Sequence, residues 1–587
     1  MSKRFEAIIF ALVFILGLIL SVFVPPFQKP DEFVHFYKAE TLSNGKIFCS
    51  KTKTNYGYIQ KQFVQMRSSI DVLSIPFHYG GKFLYKSYLK SPFSTPEGRG
   101  VTKISVDEYC SFPTFSYIPQ ALGLKMAQIL HLNEYFSFFA GRLAIFLLSF
   151  VWFLYLYKYS QKSLKFFLLF TYALPMTLYQ LGAYSYDSVN IMLGLSLFVY
   201  LTNLIAKKKI SQIDLAKLGA LFLLFLLSKP GGYEPFVLFI FLIPLSKLSK
   251  SKIGYLAKTI SFILIVALVY VIIRPPSSQS LTSGLDIVTR NPSLQLKNIL
   301  TYPINYVFML FNTFKSLGEF YLRSLIGKLG WLDYDLEYYL YYGFVGLFFF
   351  IVAKTELPKD IRLSTSRIVF FFISVLGFLA LITTIFYLAW TPVGYDYASG
   401  SQGRYFITLI PFILLGLISI KYNKKLTQFL IIIGILSIIF SITESTYKRY
   451  FDYSELYSDI KQLDVYDKSK FRLYKITNAM PIKQVVKLQN GKKLAAINFY
   501  LRNLDGKVVD PYIVEVMDMS CKKVLQTKFV NLSEVGNGQY LMKINRISAN
   551  KTPSVCISLR PFDKLKHRPL ETYTEKGSPV LLPMYLR

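Results

Sequence analysis

Eleven apolar runs punctuate this chain, most of them about 17–24 residues long, enough to cross a hydrocarbon core of roughly 30 Å. They cover residues 7–24, 135–157, 164–181, 188–205, 214–228, 235–246, 256–273, 338–353, 367–390, 405–420 and 426–443. The sixth is short for a span, and the charge pattern around it requires that it cross. Apolar residues make up 53% of the 587, but it is their clustering that decides the class. The first run follows Lys3 and Arg4, ends in Pro25-Pro26 and carries no small-x-small cleavage site, so it reads as an uncleaved first span rather than a signal peptide. The expected fold is an α-helical polytopic membrane protein of about eleven transmembrane helices.

Loop charges orient the spans. Loops 1–6, 158–165, 207–217, 247–258, 354–367 and 421–425 hold 20 Lys/Arg against the acids Glu6, Asp214, Glu356 and Asp360. The short loops of the other set, 182–187, 229–234 and 391–404, hold only Lys229 and Arg404 as basic residues. Positive loops stay in the cytoplasm, which puts the N-terminus inside and the C-terminus outside the cytoplasmic membrane. Topology therefore absorbs much of the net charge of +33. No Gly-rich phosphate loop, zinc spacing or basic helix with interleaved aromatics argues for nucleic acid.

Three bulky pieces then lie outside: residues 25–134, 274–337 and the tail 446–587. These define a transmembrane domain over 1–445 and a separate domain over 446–587. All four cysteines fall in outer segments, where an oxidising exterior permits bridges. Cys49–Cys110 and Cys521–Cys556 are the expected pairs, because each lies within one domain; four unrelated thiols are the alternative. Phe115–His131 reads as a surface helix with Pro119 near its first turn, and 294–330 as an interfacial helix. In the tail, alternating stretches at 494–501, 512–517, 540–547 and 555–559 are separated by Asn490-Gly491, Asp505-Gly506 and Asn537-Gly538, the pattern of a β-sandwich. Its role is sugar binding or, equally, that of a structural cap.

Candidate chemistry gathers at the outer ends of the spans. Beyond the first span, three prolines lead into Asp31, Glu32 and His35. Proline stiffens the segment, and carboxylates and a histidine held above a membrane suit a catalytic base or a metal ligand set. The competing reading is a plain helix start, with Asp31 as N-cap and Glu32 in the first turn. Arg142 lies one or two turns below the outer end of the second run. Tyr186-Asp187 opens the fourth, Lys229 closes the fifth and Arg404 opens the tenth. Each alone reads as a snorkelling or capping residue. Their shared side favours a joint site, in which basic groups hold a lipid phosphate and an acid activates an acceptor.

Pro25-Pro26-x-x-x-Pro30-Asp31-Glu32-x-x-His35-x-x-x-Ala39 resembles the opening motif of an uncharacterised bacterial family of multi-pass membrane proteins. Gly141-Arg142-Leu143, Ser185-Tyr186-Asp187, Lys229-Pro230, Gly327-x-x-Gly330-Trp331-Leu332-Asp333 and Gln402-Gly403-Arg404-Tyr405 with Pro411 continue the likeness in order, over about residues 20–445. Lys229-Pro230 departs from the pattern, with Gly231-Gly232 before Tyr233. That family looks like a branch of the GT-C glycosyltransferases. The resemblance implies a polyprenyl-phosphate-sugar donor, a glycan or lipid-linked acceptor, an acid in the first outer loop as base, and inverting transfer outside the cytoplasmic membrane. Asp31 is then the base, with Glu32 or His35 orienting it or holding a divalent cation, and Arg404, Lys229 and Arg142 taking the phosphate. Magnesium or manganese stays open, since one histidine and two carboxylates in a row are too few to assign a metal. A transporter or flippase, a glycan polymerase or ligase, and an assembly scaffold are the rival classes.

Overall fold

The structure is a computed structural model. It describes residues 3–46, 56–69, 100–105, 112–229, 231–274, 291–392 and 395–420, and in the tail 456–457, 472–476, 482–487, 493–503, 512–530, 538–548, 554–561, 570–575, 578–579 and 581–586. The chain divides into two units, Met1–Leu281 with Thr289–Thr427, and Thr282–Val288 with Gln428–Arg587.

The first unit is helical. In order it holds α1 (Lys3–Val22), α2 (Glu32–Ser43), strand β1 (Tyr56–Gln60), α3 (Lys61–Ser69), strand β2 (Val101–Ser105), α4 (Ile118–Ile129) and α5 (Glu134–Tyr159). Then come α6 (Lys165–Ala173), α7 (Pro175–Leu181), α8 (Asp187–Ala206), α9 (Gln212–Leu227), a 3-10 helix (Glu234–Leu242), α10 (Leu245–Leu248) and α11 (Lys252–Ile273). Last are α12 (Pro292–Thr301), α13 (Pro303–Ile326), α14 (Tyr338–Lys354), α15 (Thr365–Ala389), a 3-10 turn (Gly403–Leu409) and α16 (Ile410–Ile420).

Among the described residues, five helices are long and apolar enough to cross a membrane, or six if the bent pair α6–α7 is one span. Two shorter apolar helices, Glu6–Val22 and Tyr338–Lys354, accompany them. Ten of the eleven runs are thus helical, while residues 426–443 lie outside the described residues. Three runs differ from the continuous α-helices expected, the tenth because it opens as the 3-10 turn Gly403–Leu409. Run 164–181 bends by 70° between α6 and α7, where Pro175 has no N–H to continue the ladder. The sixth run winds as a 3-10 helix behind Pro235 and ends at Ile243-Pro244 for the same reason.

Burial separates lipid-facing helices from central ones. Only 11% of the apolar window of α11 is buried, and Ile253, Leu264, Leu268 and Ile272 are exposed, as a surface solvated by acyl chains requires. By contrast 72% of the window in α8 and 89% of Gly403–Ile420 are buried. These two innermost segments begin with Asp187 and with Gly403-Arg404, so the centre of the helical unit carries two charged groups at its helix starts.

Both segments expected to be helical between the spans are helical, the second as two helices rather than one. α4 follows a 3-10 turn (Thr114–Tyr117) and carries Pro119 in its first turn. Segment 294–330 forms α12 and α13, separated at Tyr302-Pro303, with Ile304, Val307, Phe308 and Phe311 exposed along one side of α13. Strands β1 and β2 pair antiparallel beside α2, where Ile59, Phe63 and Met66 join Phe36 and Phe138 in a small aromatic core.

The second unit holds antiparallel strands. Ile482–Lys487, Ser554–Pro561, Tyr512–Met517 and Val524–Val530 form one sheet in that order. Lys493–Asn503 is central to the other, pairing with Gly538–Ser548 and Leu581–Leu586. The four predicted alternating stretches all lie in these strands, and Cys521 and Cys556 are bonded to each other. Cys49, Cys110 and the turn residues Asn490, Gly491, Asp505, Gly506 and Asn537 lie outside the described residues.

Candidate functional site

The nine residues between α1 and α2 contain three prolines and few backbone partners of their own. Buried carbonyls cannot be left unpaired cheaply, and neighbouring elements supply the donors. Arg142 of α5 donates from Nη1 to the Ser21 and Val24 oxygens at 3.2 and 2.5 Å, and from Nη2 to the Pro25 oxygen at 3.0 Å. Trp331 Nε1 donates to the Phe27 oxygen at 3.0 Å, and the Tyr179 hydroxyl to the Gln28 oxygen at 2.9 Å. Lys29, fully buried, returns the grip by donating to the Tyr179 and Gly182 oxygens at 2.9 and 2.7 Å. Burial, reinforced by the Arg142 charge, pushes the Lys29 ammonium well below its usual range.

Glu32 completes this clamp. Its two oxygens accept from Arg142 Nε and Nη2 at 2.7 and 2.5 Å, and both side chains are fully buried. All five N–H groups of Arg142 are therefore engaged. Gly141, next to it, faces the Tyr184 hydroxyl with no room for a Cβ, which explains the Gly-Arg pair.

The clamp ends at Asp31, whose backbone is left-handed (φ 57°) and whose side chain is 59% exposed. Asp31 occupies the N-cap position of α2 but makes no side-chain cap hydrogen bond, so the plain helix-cap reading fails. Its carboxylate instead faces Arg404, at 3.4 Å from Nη2. Arg404 Nε lies 3.6 Å from Asp187 Oδ2, and Asp187 Oδ1 lies 2.6 Å from Lys229 Nζ. Residues 31, 187, 229 and 404 thus form one chain of alternating charge. The last three are buried, and Asp31 alone is exposed.

Each member has a local reason for its place. Asp187 begins α8, where a negative charge meets the positive end of the helix dipole. Lys229 follows the end of α9, where a positive charge is favoured. Arg404 sits at a helix start, where the dipole opposes it. It donates to Asp31 at 3.4 Å and bonds the Tyr405 hydroxyl, while its buried Nε has no hydrogen bond. The contrast with Arg142 is direct: one guanidinium is saturated and the other is open. Gly403 lies against the Tyr321 oxygen too closely for a Cβ, which brings the Arg404 backbone down onto α13. Lys229 Nζ lies 3.8 Å from the centre of the Tyr405 ring and 5.5 Å from that of Tyr186. Burial lowers the Lys229 ammonium to about 8 against the opposing pull of Asp187.

His35 adjoins this chain without joining it. Its Nδ1 and the Tyr117 hydroxyl are 2.6 Å apart, and the ring stacks on Phe112 and meets Tyr186 edge-on. Burial lowers the imidazole to about 4, and it is neutral at pH 7. Asp31, Glu32 and His35 therefore do not converge: Glu32 turns to Arg142 and His35 to Tyr117. Among the described residues no three His, Cys, Asp or Glu side chains gather as metal ligands would. The sequence reading assigned no role to Lys29, Tyr117, Tyr179 or Tyr405; for Lys29 and Tyr405 the only signal was their position within the quoted motifs, and for Tyr117 and Tyr179 there was none.

Helix α2 carries two buried titratable groups of opposite tendency. Burial raises the Glu40 carboxyl to about 7, while His35 is lowered to about 4. Between pH 4.5 and 6.5 the unfolded chain binds a proton at His35 that the folded chain lacks, so stability rises with pH. Over the same window the folded chain keeps a Glu40 proton that the unfolded chain loses, so stability falls with pH. The slopes, each about 1.4 kcal/mol per pH unit, cancel. His35→Gln should therefore melt at progressively lower temperature as pH rises from 4.5 to 7. Glu40→Gln should melt lower as pH falls from 6.5 to 4. Parallel melting curves of both variants and the parent would contradict the two burials.

Residues 14–413 match the family described as Predicted membrane protein (DUF2142). No curated protein and no solved structure matches the chain significantly. The match covers more than half of the sequence and includes the clamp and the whole Asp31–Arg404–Asp187–Lys229 chain. The protein belongs to the DUF2142 family of membrane proteins.

Proposed function

We propose that this protein is a glycosyltransferase of the GT-C type in the cytoplasmic membrane, moving a sugar from a polyprenyl-phosphate donor to an extracytoplasmic glycan or other acceptor. The observation that carries this reading is the meeting of an exposed, pre-positioned Asp31 with an under-bonded Arg404 and a buried Lys229, drawn from three distant parts of the chain. In this mechanism Asp31 takes the proton of the acceptor hydroxyl. The freed oxygen attacks the anomeric carbon from the face opposite the phosphate, the C–O bond to phosphate breaks with its electron pair, and configuration inverts. The leaving phosphate collects the open N–H groups of Arg404 and the Lys229 ammonium. Asp187 holds both cations in place, and Tyr186 and Tyr405 wall the Lys229 side.

Arg142 and Glu32 are left out of the reacting set because each spends its polar atoms on the other and on the clamp. His35, buried neutral against Tyr117, supports the wall rather than the base. The same reading includes eleven spans, an inside N-terminus, an outside first loop and an outer tail domain packed as a β-sandwich.

The test is transfer of radiolabelled sugar in proteoliposomes holding the full chain. Label should move from a polyprenyl-monophosphate sugar to an acceptor with inverted anomeric configuration. Label moving only from a polyprenyl-diphosphate glycan would support the polymerase or ligase class, and lipid crossing the bilayer without transfer a flippase. Arg404→Ala should raise the donor KM by about tenfold to a few hundredfold, the range for a hydrogen bond to a charged group. Arg404→Lys should recover little of it, since an ammonium cannot offer the planar fork. An unchanged donor KM in Arg404→Ala removes that residue from the phosphate site.

A further inference from the structure

Away from Asp31, α12, α13, α15 and the segment before Gly403 enclose a groove of about 370 Å³. Asn298, Asn305, Asn312 and Asp396 line it, together with rings that include Tyr302 and Tyr395. Among the described lining residues there is no lysine, arginine or histidine. This lining is selective in its chemistry. A phosphate or carboxylate would find one carboxylate and no cation. A quaternary ammonium would use Asp396 and the tyrosine faces but leave the Asn298 and Asn305 amides without purpose. A neutral sugar uses all three kinds of group: amides donate to and accept from vicinal hydroxyls, a carboxylate accepts, and an aromatic face covers the apolar side of the ring.

The groove is also tied to Arg404. Asn312 Nδ2 donates to the Asp396 backbone carbonyl at 3.3 Å, and the Ala398 N–H donates to Thr313 Oγ1 at 2.8 Å. Farther along α13, Tyr321 and Ser401 hydroxyls are 2.6 Å apart, and the Gly403 N–H donates to Ser324 Oγ at 2.9 Å. The segment from Asp396 to Gly403 is thus laced along α13, with the groove at one end and Arg404 at the other. From Asn312 to Ser324 the helix rises about 18 Å, the reach of a short oligosaccharide.

We propose that this groove is a binding site for a neutral saccharide, holding a unit of the acceptor glycan remote from the reacting hydroxyl. Its role as acceptor site rests on the glycosyl-transfer reading above; its preference for neutral sugar does not.

The experiment is saturation-transfer difference NMR on the full chain in nanodiscs. The probes are neutral tetrasaccharides of hexose, deoxyhexose and N-acetylhexosamine, with choline and a hexose 1-phosphate alongside. At least one neutral tetrasaccharide should receive saturation at its ring protons. Asn305→Leu and Asn312→Leu should each weaken it by about tenfold, the loss of one good hydrogen bond, and Asp396→Asn should weaken it without changing the melting temperature. Asp31→Asn should bind as the parent does. No neutral tetrasaccharide bound, a preference for choline or hexose phosphate, or equal binding by folded Asn305→Leu and Asp396→Asn would each overturn the proposal. Saccharide binding in a chain that transfers no sugar would sink the glycosyl-transfer reading and spare the groove. Sugar transfer indifferent to Asn305→Leu and Asp396→Asn would do the reverse.

Discussion

Asp31→Asn should give a chain that inserts and folds like the parent but transfers sugar about 10²–10⁴-fold more slowly, the usual contribution of a general base. The substitution suits the question because asparagine tolerates the left-handed backbone that Asp31 adopts, so the turn keeps its shape. Little stability is at stake. The carboxylate caps nothing, is 59% exposed, and has a single long contact to Arg404. What the amide cannot do is accept the acceptor's proton. Single-turnover transfer at saturating donor reads the chemical step directly. A parent-like rate in Asp31→Asn would remove Asp31 as base, and a folded chain with normal donor affinity but no turnover is the expected signature.

That Asp31 and Arg404 belong together was legible in the sequence only as a shared side. Loop charges placed residues 31, 187, 229 and 404 at outer span ends, and the structure brings those four into one chain of contacts. Arg142 shared the expected side of that set, one or two turns deeper in its run, yet it lies in the clamp. Nothing in a one-dimensional pattern distinguishes an arginine facing a ligand from one facing five protein acceptors, because three of the five are backbone oxygens of Ser21, Val24 and Pro25 that no side-chain code announces. The same limit hid the separation of Glu32 from Asp31: adjacent residues entering a helix point apart, one to Arg142 and one outward. Run lengths located the helices well, but the bend at Pro175 and the 3-10 winding after Pro235 depend on prolines that a hydropathy count reads past.

Arg142→Ala should be the most destabilising single change at this end of the molecule, at about 3–5 kcal/mol. The change strands the Glu32 carboxylate in a fully buried position and takes away the donors that Arg142 supplies to the Ser21, Val24 and Pro25 carbonyls. A loss of that size approaches the whole stability of many domains, so the expected result is poor recovery of folded protein and a sharply lowered melting temperature. Arg404→Ala is the natural comparison. It removes an arginine of equal size with far fewer hydrogen bonds, and it should express and melt well above Arg142→Ala. A paired replacement, Glu32→Leu with Arg142→Met, should recover part of the lost stability, since apolar groups of similar volume can replace a buried ion pair. It should not recover transfer, because the chain leading into Asp31 loses the three carbonyl contacts that Arg142 makes to it. Equal melting temperatures for Arg142→Ala and Arg404→Ala would refute the division into clamp and site.

The central claim is that Asp31 and Arg404 face each other on the outer side of the membrane. It is tested by replacing Cys49, Cys110, Cys521 and Cys556 with serine and introducing Asp31→Cys and Arg404→Cys, singly and together. The account predicts that the double variant cross-links under mild oxidation in intact membranes, and that Asp31→Cys alone reacts with an impermeant maleimide added outside. Labelling of positions 31 and 404 from opposite faces of the bilayer, with no cross-link, would contradict it.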